Sequence, residues 1–148
     1  MAYWLYVTNF DNWNVTKETN ILGVSEKFGK ILSRVKKGDK CLIYLKTETV
    51  SRERYPPQVA GAYQIVSEVF KDSKVMFHAP YATSNETYGL RVRLEPLRLF
   101  ELPIEFKPLV LRLAFITNKA KWFLNLRGRA MVAIPKSDYD LILSAAHH

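Results

Sequence analysis

Side chains through YWLYVT at the start of the chain fall alternately on two sides of a strand, with Tyr3, Leu5 and Val7 on one and Trp4, Tyr6 and Thr8 on the other. One side reads as core and the other as an aromatic wall. Aromatic residues on both sides fit a strand covered by a helix on its outer face, the usual place of aromatics in a core, and they fit also a strand that floors a pocket. The run breaks at Asn9, Phe10, Asp11 and Asn12, where the amides and the carboxylate favour turns and helix starts. A short helix is expected over 11–19, capped by Asn9 or Asp11, with Trp13 on its inner side.

Residues 23–37 are basic and irregular, and Gly38 with Asp39 makes a turn before KCLIYLK, a strand over 40–46 too apolar to be exposed on both faces. The polar stretch 47–57 ends in two prolines and is expected to be a mobile loop. Further strands are expected over 59–67, 74–77 and 90–99. In the last of these Leu90, Val92 and Leu94 point inward while Arg91, Arg93 and Glu95 point out. Past Pro103 the pattern changes to short helical pieces: an apolar set over 107–113, a turn containing Trp122 capped by Thr117 or Asn118, and a terminal helix. In that helix Pro135 suits the first turn, Ser137 with Asp140 resembles a capping box, and Leu141, Ile142 and Ala145 form the apolar stripe. About five strands interrupted by helices without regular βαβ alternation predict an α+β chain, a small barrel or strongly curved sheet with helices packed outside. A doubly wound sheet is excluded by the same pattern.

The chain has 148 residues, the length of one ordinary domain, and a domain of that size buries about 70% of its unfolded surface. With no repeat, low-complexity segment or linker, residues 1–148 read as one domain. The single cysteine, Cys41, lies among apolar neighbours and rules out an internal disulfide framework or a multi-cysteine zinc site. No apolar run approaches the ~20 residues of a membrane span, and no charged and apolar leader precedes the first strand, so a cytoplasmic protein is expected. The net charge of +8 points to a polyanionic partner. Since no long amphipathic basic helix stands out, nucleic acid is favoured over a membrane surface.

Walker, dinucleotide-binding, HExxH and GxSxG patterns are all missing, which removes the common enzyme classes. His78 in FHAPY reads as an ordinary loop histidine, and the His147–His148 pair makes a poor metal site; neither a metal nor a cofactor is implied. Two basic groups are interleaved with aromatic residues: Lys27, Lys30, Arg34, Lys36, Lys37 and Lys40 around Phe28, and Lys119, Lys121, Arg127 and Arg129 around Trp122 and Phe123. Each fits a solvated face, and each fits contact with phosphates.

The segments YWLYVTNFDNWNVTKETNILGVSEK, LSRVKKGDKCLIYLK, VAGAYQIVSE, ETYGLRVRLEPLRL, FITNKAKW and GRAMVAIPKSDYDLI follow one another in the order of the EVE domain. Nearly the whole chain resembles this family, a member of the PUA-like superfamily with distant kinship to YTH domains, which read methylated adenine in RNA. The resemblance implies a small curved barrel of five to six strands with flanking helices, a pocket for a modified nucleobase in DNA or RNA, and no catalysis. On the matching positions it implies a base-binding set of Trp4, Asn9, Asn12, Trp13, Tyr44 and Tyr88. Leu22 completes the wall where relatives often carry tryptophan. Phosphate contacts are expected from Lys27, Lys30, Arg34, Arg91, Lys119 and Lys121, with nucleic acid as partner and a protein effector as a candidate second one. Two other readings stay open at this point: an RNA-processing nuclease of a PUA-like branch, and a binder of a free modified nucleoside.

Overall fold

Strand β1 (Tyr3–Thr8) forms as its pattern predicts and runs parallel to β3 (Lys40–Leu45), pairing Tyr3 with Lys40 through Thr8 with Leu45. The computed structural model describes residues 1–77 and 87–146. Around that parallel pair the chain adds β2 (Ile21–Val24), β6 (Gln58–Ile65), β8 (Leu90–Glu105) and β9 (Met131–Ile134), giving a curled half-barrel sheet in the order β2-β8-β6-β3-β1-β9. A two-residue strand, β7 (Phe70–Lys71), pairs with the start of β8. Helix α1 (Phe10–Thr19) follows β1, the single turn α2 (Gly29–Leu32) precedes β3, and α3 (Lys136–Ser144) closes the described chain. No helix among the described residues is long and apolar enough to cross a membrane.

Alternation along the central strands explains why there are two cores rather than one. Trp4 and Tyr6 of β1 join Cys41, Ile43 and Leu45 of β3 in an apolar cluster with Trp13 of α1, while Leu5 joins Leu42 and Tyr44 in a second cluster with Phe106, Val132 and Ile142. Both faces of the central strands are therefore buried. Cys41 lies wholly inside, and burial pushes its thiol up to about 12.

Several elements differ from the sequence expectation. β2 and β9 are short strands of four residues each, too brief to leave a periodic signature. Residues 47–57 form not a plain loop but a hairpin of β4 (Glu48–Val50) and β5 (Glu53–Tyr55), and 74–77 is not a strand. Strand β8 runs on through Pro96 and Pro103, where irregular pairing with β6 tolerates the missing N–H donors. Ser137 makes no capping box: Pro135 occupies the N-cap, and Asp138 is buried, accepting from Ala114 N at 2.9 Å and Phe115 N at 2.8 Å. Asn9 does cap α1, its side chain accepting from Asn12 N at 2.8 Å.

Candidate functional site

Where β1 and β3 end, the sheet stops being covered on both sides and a half-open cavity of about 560 Å³ forms. Its floor comes from Tyr6, Val7, Thr8 and Tyr44, and Asn9 and Asn12 enter from the start of α1. Gly23, Ser25 and Phe28 close one side, Tyr88 another, and the segment from Trp122 to Ala130 the third. That segment is tied to β1 by Val7 N donating to Ala130 O at 2.8 Å.

The polar groups here are arranged around an apolar slot. Tyr6 Oη donates to Gly23 O at 2.8 Å, and burial raises its pKa well above the ordinary phenol value. Tyr44 is raised in the same direction for the same reason, so both phenols stay protonated at any physiological pH. Tyr44 lines the cavity and packs edge-on against Phe106, ring centroids 4.9 Å apart. Asn9 gives its side-chain oxygen to the helix cap, which leaves the amide NH₂ as a donor. Lys46, Arg127 and Arg129 line the same cavity, and among the described residues no carboxylate does.

Gly23 and Tyr88 fix the shape of the slot together. A Cβ on Gly23 would stand 2.8 Å from Tyr88 O and 2.8 Å from the Phe77 ring, so only glycine lets these segments close on β2. Tyr88 itself has φ +50, unusual for a bulky residue. Its carbonyl is held by Arg91 Nε at 3.1 Å.

A second depression of about 350 Å³ adjoins the first across Phe28, Gly128, Arg129 and Ala130, and its rim carries Lys27, Lys30 and Arg34. Again no carboxylate of the described residues faces it. The two hollows share a continuous cationic border.

The residues expected at the site therefore divide. Asn9, Asn12, Tyr44 and Tyr88 meet in the main cavity, and Lys27, Lys30 and Arg34 meet in its neighbour. Trp4, Trp13 and Leu22 do not line either hollow, which corrects their assignment as base-binding walls. Trp4 is 1% exposed and donates through Nε1 to Asp39 at 2.9 Å, Trp13 packs edge-on against Tyr63, and Leu22 points into the core because the alternation of β2 turns Gly23 to the cavity instead. Arg91 is corrected as well. It is fully buried, and its guanidinium donates to Tyr88 O, Thr87 O and Lys74 O, contacts Met76 Sδ and pairs with Asp72 at 3.5 Å, so it organises the rim from inside and presents nothing to a phosphate.

Lys119 turns its ammonium onto Val110 O and Leu113 O, and exposed Lys121 lines neither hollow; Arg127 and Arg129 of the same basic group take the rim positions. Trp122, noted in the sequence only as an aromatic among cations, lines the cavity and rests on Phe106 at 5.6 Å. The signal that would have found it is the combination of one tryptophan with the following RGR, a flat face next to paired guanidiniums. His78, His147 and His148 lie outside the described residues.

The EVE domain family model matches residues 2–145. A UPF0310 protein of Pyrococcus abyssi is 44% identical over 144 residues, spanning 97% of this chain and 99% of that protein. Among solved structures, the human THYN1 protein in complex with 5-methylcytosine-containing DNA matches with a TM-score of 0.62 at 18% identity, covering 97% of this chain and 96% of that one. The Mmi1 YTH domain in complex with RNA matches with a TM-score of 0.56 at 13% identity, covering 97% and 77%. At those two identities the likeness is one of fold.

Proposed function

This chain belongs to the EVE domain family, and on that premise we propose that it is a non-enzymatic module that receives one unstacked, modified nucleobase in the cavity at the ends of β1 and β3. The observation that carries the reading is the composition of that cavity: aromatic faces from Phe28, Tyr88 and Trp122, amides from Asn9 and Asn12, three cations and no carboxylate among the described residues. Its volume of about 560 Å³ lies in the range of small-ligand sites. Flat faces stack on a base, amides read its edge, and an apolar slot favours a base that carries a methyl group over one that does not. The border of Lys27, Lys30, Arg34, Arg127 and Arg129 holds the flanking phosphates, which position a strand without reading it. THYN1 and the Mmi1 domain, which share the fold, are bound to DNA and RNA respectively, and this supports the same class of partner here.

Energetics then select the form of the ligand. Extruding a base from a duplex costs a few kcal/mol, whereas stacking returns about 1–3 kcal/mol per base. Single strands, or bases already unpaired, bind better than intact duplexes. The test is a titration of tryptophan fluorescence with short DNA and RNA strands, plain, with 5-methylcytosine or with N6-methyladenine, at several salt concentrations. Trp122, half-buried at the cavity, is the reporter; Trp4 and Trp13 are enclosed. Binding with a preference for one methylated strand is the expected result. Absence of binding at low salt sinks the reading, cleavage of the strand makes the protein a nuclease, and equal affinity for the free methylated nucleoside reduces it to a small-molecule pocket.

A further inference from the structure

The hairpin β4–β5 rises from the rim of the main cavity, because Lys46 and Thr47, the two residues before it, line that cavity. Its ladder pairs Glu48 with Tyr55, Thr49 with Arg54 and Val50 with Glu53, which leaves Ser51 and Arg52 as a two-residue turn. Both have positive φ, 51° for Ser51 and 68° for Arg52. That is the turn which asparagine followed by glycine makes with least strain, and this chain holds a serine and an arginine there instead. A strained tip that keeps a bulky cation points from conformation to use.

The base of the hairpin is anchored where the cavity begins. Phe10 packs against Tyr55 as a tilted ring pair with centroids 5.1 Å apart, and Phe10 N donates to Glu48 Oε1 at 3.3 Å, one residue from the cap Asn9. Its second carboxylate, Glu53, accepts from Tyr55 Oη at 3.2 Å. Both acidic groups are thus engaged within the protein, whereas Arg52 and Arg54 are exposed and have no partner among the described residues. Three residues of strand carry the tip about 10 Å from the rim, far enough to reach backbone beyond the nucleotide at the cavity.

We infer that this hairpin is a second cationic arm, which grips the nucleic-acid backbone through Arg52 and Arg54 beyond the nucleotide whose base is held in the cavity. The inference rests on the base-binding reading and adds to it a footprint, with contacts on the hairpin side as well as on the border of lysines and arginines. A footprint that extends beyond one nucleotide requires a polymer and gives no advantage to a free nucleoside.

The decisive variant is S51N/R52G, which relieves the turn and removes the tip cation at once. Its melting temperature rises by about 2–5 °C, so any lost binding cannot be blamed on damage to the fold. Against a 12-nucleotide methylated strand, affinity in low salt falls about threefold to tenfold and the slope of log K against log salt becomes shallower by about 0.7. Preference for the methylated over the plain strand is retained. Arg54→Gln, on the strand rather than the turn, gives a second loss of the same kind. Unchanged affinity and slope in both variants, with wild-type binding intact, overturn the arm and leave the cavity reading standing; wild type that ignores every strand overturns the cavity reading, and the arm with it.

Discussion

Two tryptophans, Trp4 and Trp122, show how the same side chain comes to hold a fold together in one place and face a ligand in another. Trp4 lies on β1 with both ring faces covered, its Nε1 donating to Asp39 and the Arg34 guanidinium 5.8 Å from its ring centroid. Trp122 lies on a short 3₁₀ turn with one side against Phe106 and the other on the cavity. An indole with its N–H satisfied inside the protein and neither face open contributes apolar burial and one hydrogen bond. An indole with an open face next to Arg127 and Arg129 offers a stacking surface. The difference between them is one of cover, and substitutions at the two positions should divide cleanly into lost folding and lost binding.

The largest effect is expected at the closed indole. Trp4→Ala removes a fully buried side chain and one of the two donors to Asp39 Oδ2, a change worth about 3–5 kcal/mol of stability, or roughly 10 °C in melting temperature. Thermal unfolding followed by circular dichroism measures it. If the variant melts like wild type and only loses oligonucleotide affinity, the comparison is broken and Trp4 is a ligand contact after all.

A smaller effect of the same origin is expected with pH. Burial opposes the charge on Asp39, but donation from Ala2 N, Trp4 Nε1 and Lys36 N, together with the N-terminal ammonium, outweighs it and holds the carboxyl below its ordinary value of 3.8. A group with a depressed folded pKa stabilises fully above its unfolded pKa and loses that contribution as pH falls through the folded one. Stability therefore declines with acid below about pH 4. Asp39→Asn, about 2 kcal/mol less stable at pH 7, shows a flatter decline over the same window. Equal acid sensitivity in both proteins would remove Asp39 from the account.

Next in size is the closure of the slot. Gly23→Ala forces a methyl group against Tyr88 O and the Phe77 ring, at about 1–3 kcal/mol of stability. Because the displaced neighbour is a cavity wall, affinity for a methylated strand falls with it. A variant that loses stability while its affinity is unchanged would detach Tyr88 from the site.

How far all this was legible in the sequence follows from the range of the interactions. β1, β3, β6, the first half of β8 and both longer helices were readable, because their patterns extend over six or more residues and report which face meets the core. β2 and β9 were not, since four residues give no period. Within the site, Tyr44 and Tyr88 were found through likeness to the family rather than from their own pattern. Arg91 was misread for a physical reason: strict alternation turns it outward, but β7 and the segments around Lys74 and Thr87 fold over that face and cover it. Trp4 and Trp13 were readable as aromatic but not as enclosed, since the side chains that cover them come from sequence-distant elements, Asp39 for one and Tyr63 for the other. Composition tells which chemistry a chain can present, whereas cover is decided by tertiary contacts.

The smallest change in stability is expected at the open indole, and it is the one that sharpens the comparison most. Trp122→Leu keeps an apolar contact on Phe106 but removes the flat face, so the melting temperature moves by no more than about 3 °C. Losing one stacked base costs about 1–2 kcal/mol, or roughly tenfold in affinity for a methylated single strand. Since no charge is removed, the slope of affinity against salt stays as in wild type, in contrast to Arg129→Gln, which makes it shallower by about 0.7. Fluorescence anisotropy of a labelled strand separates the two without relying on the tryptophan that has been replaced. An unaltered affinity in Trp122→Leu would place the base away from this wall, and a flattened salt slope would mean that the indole had been positioning Arg127 and Arg129 rather than stacking.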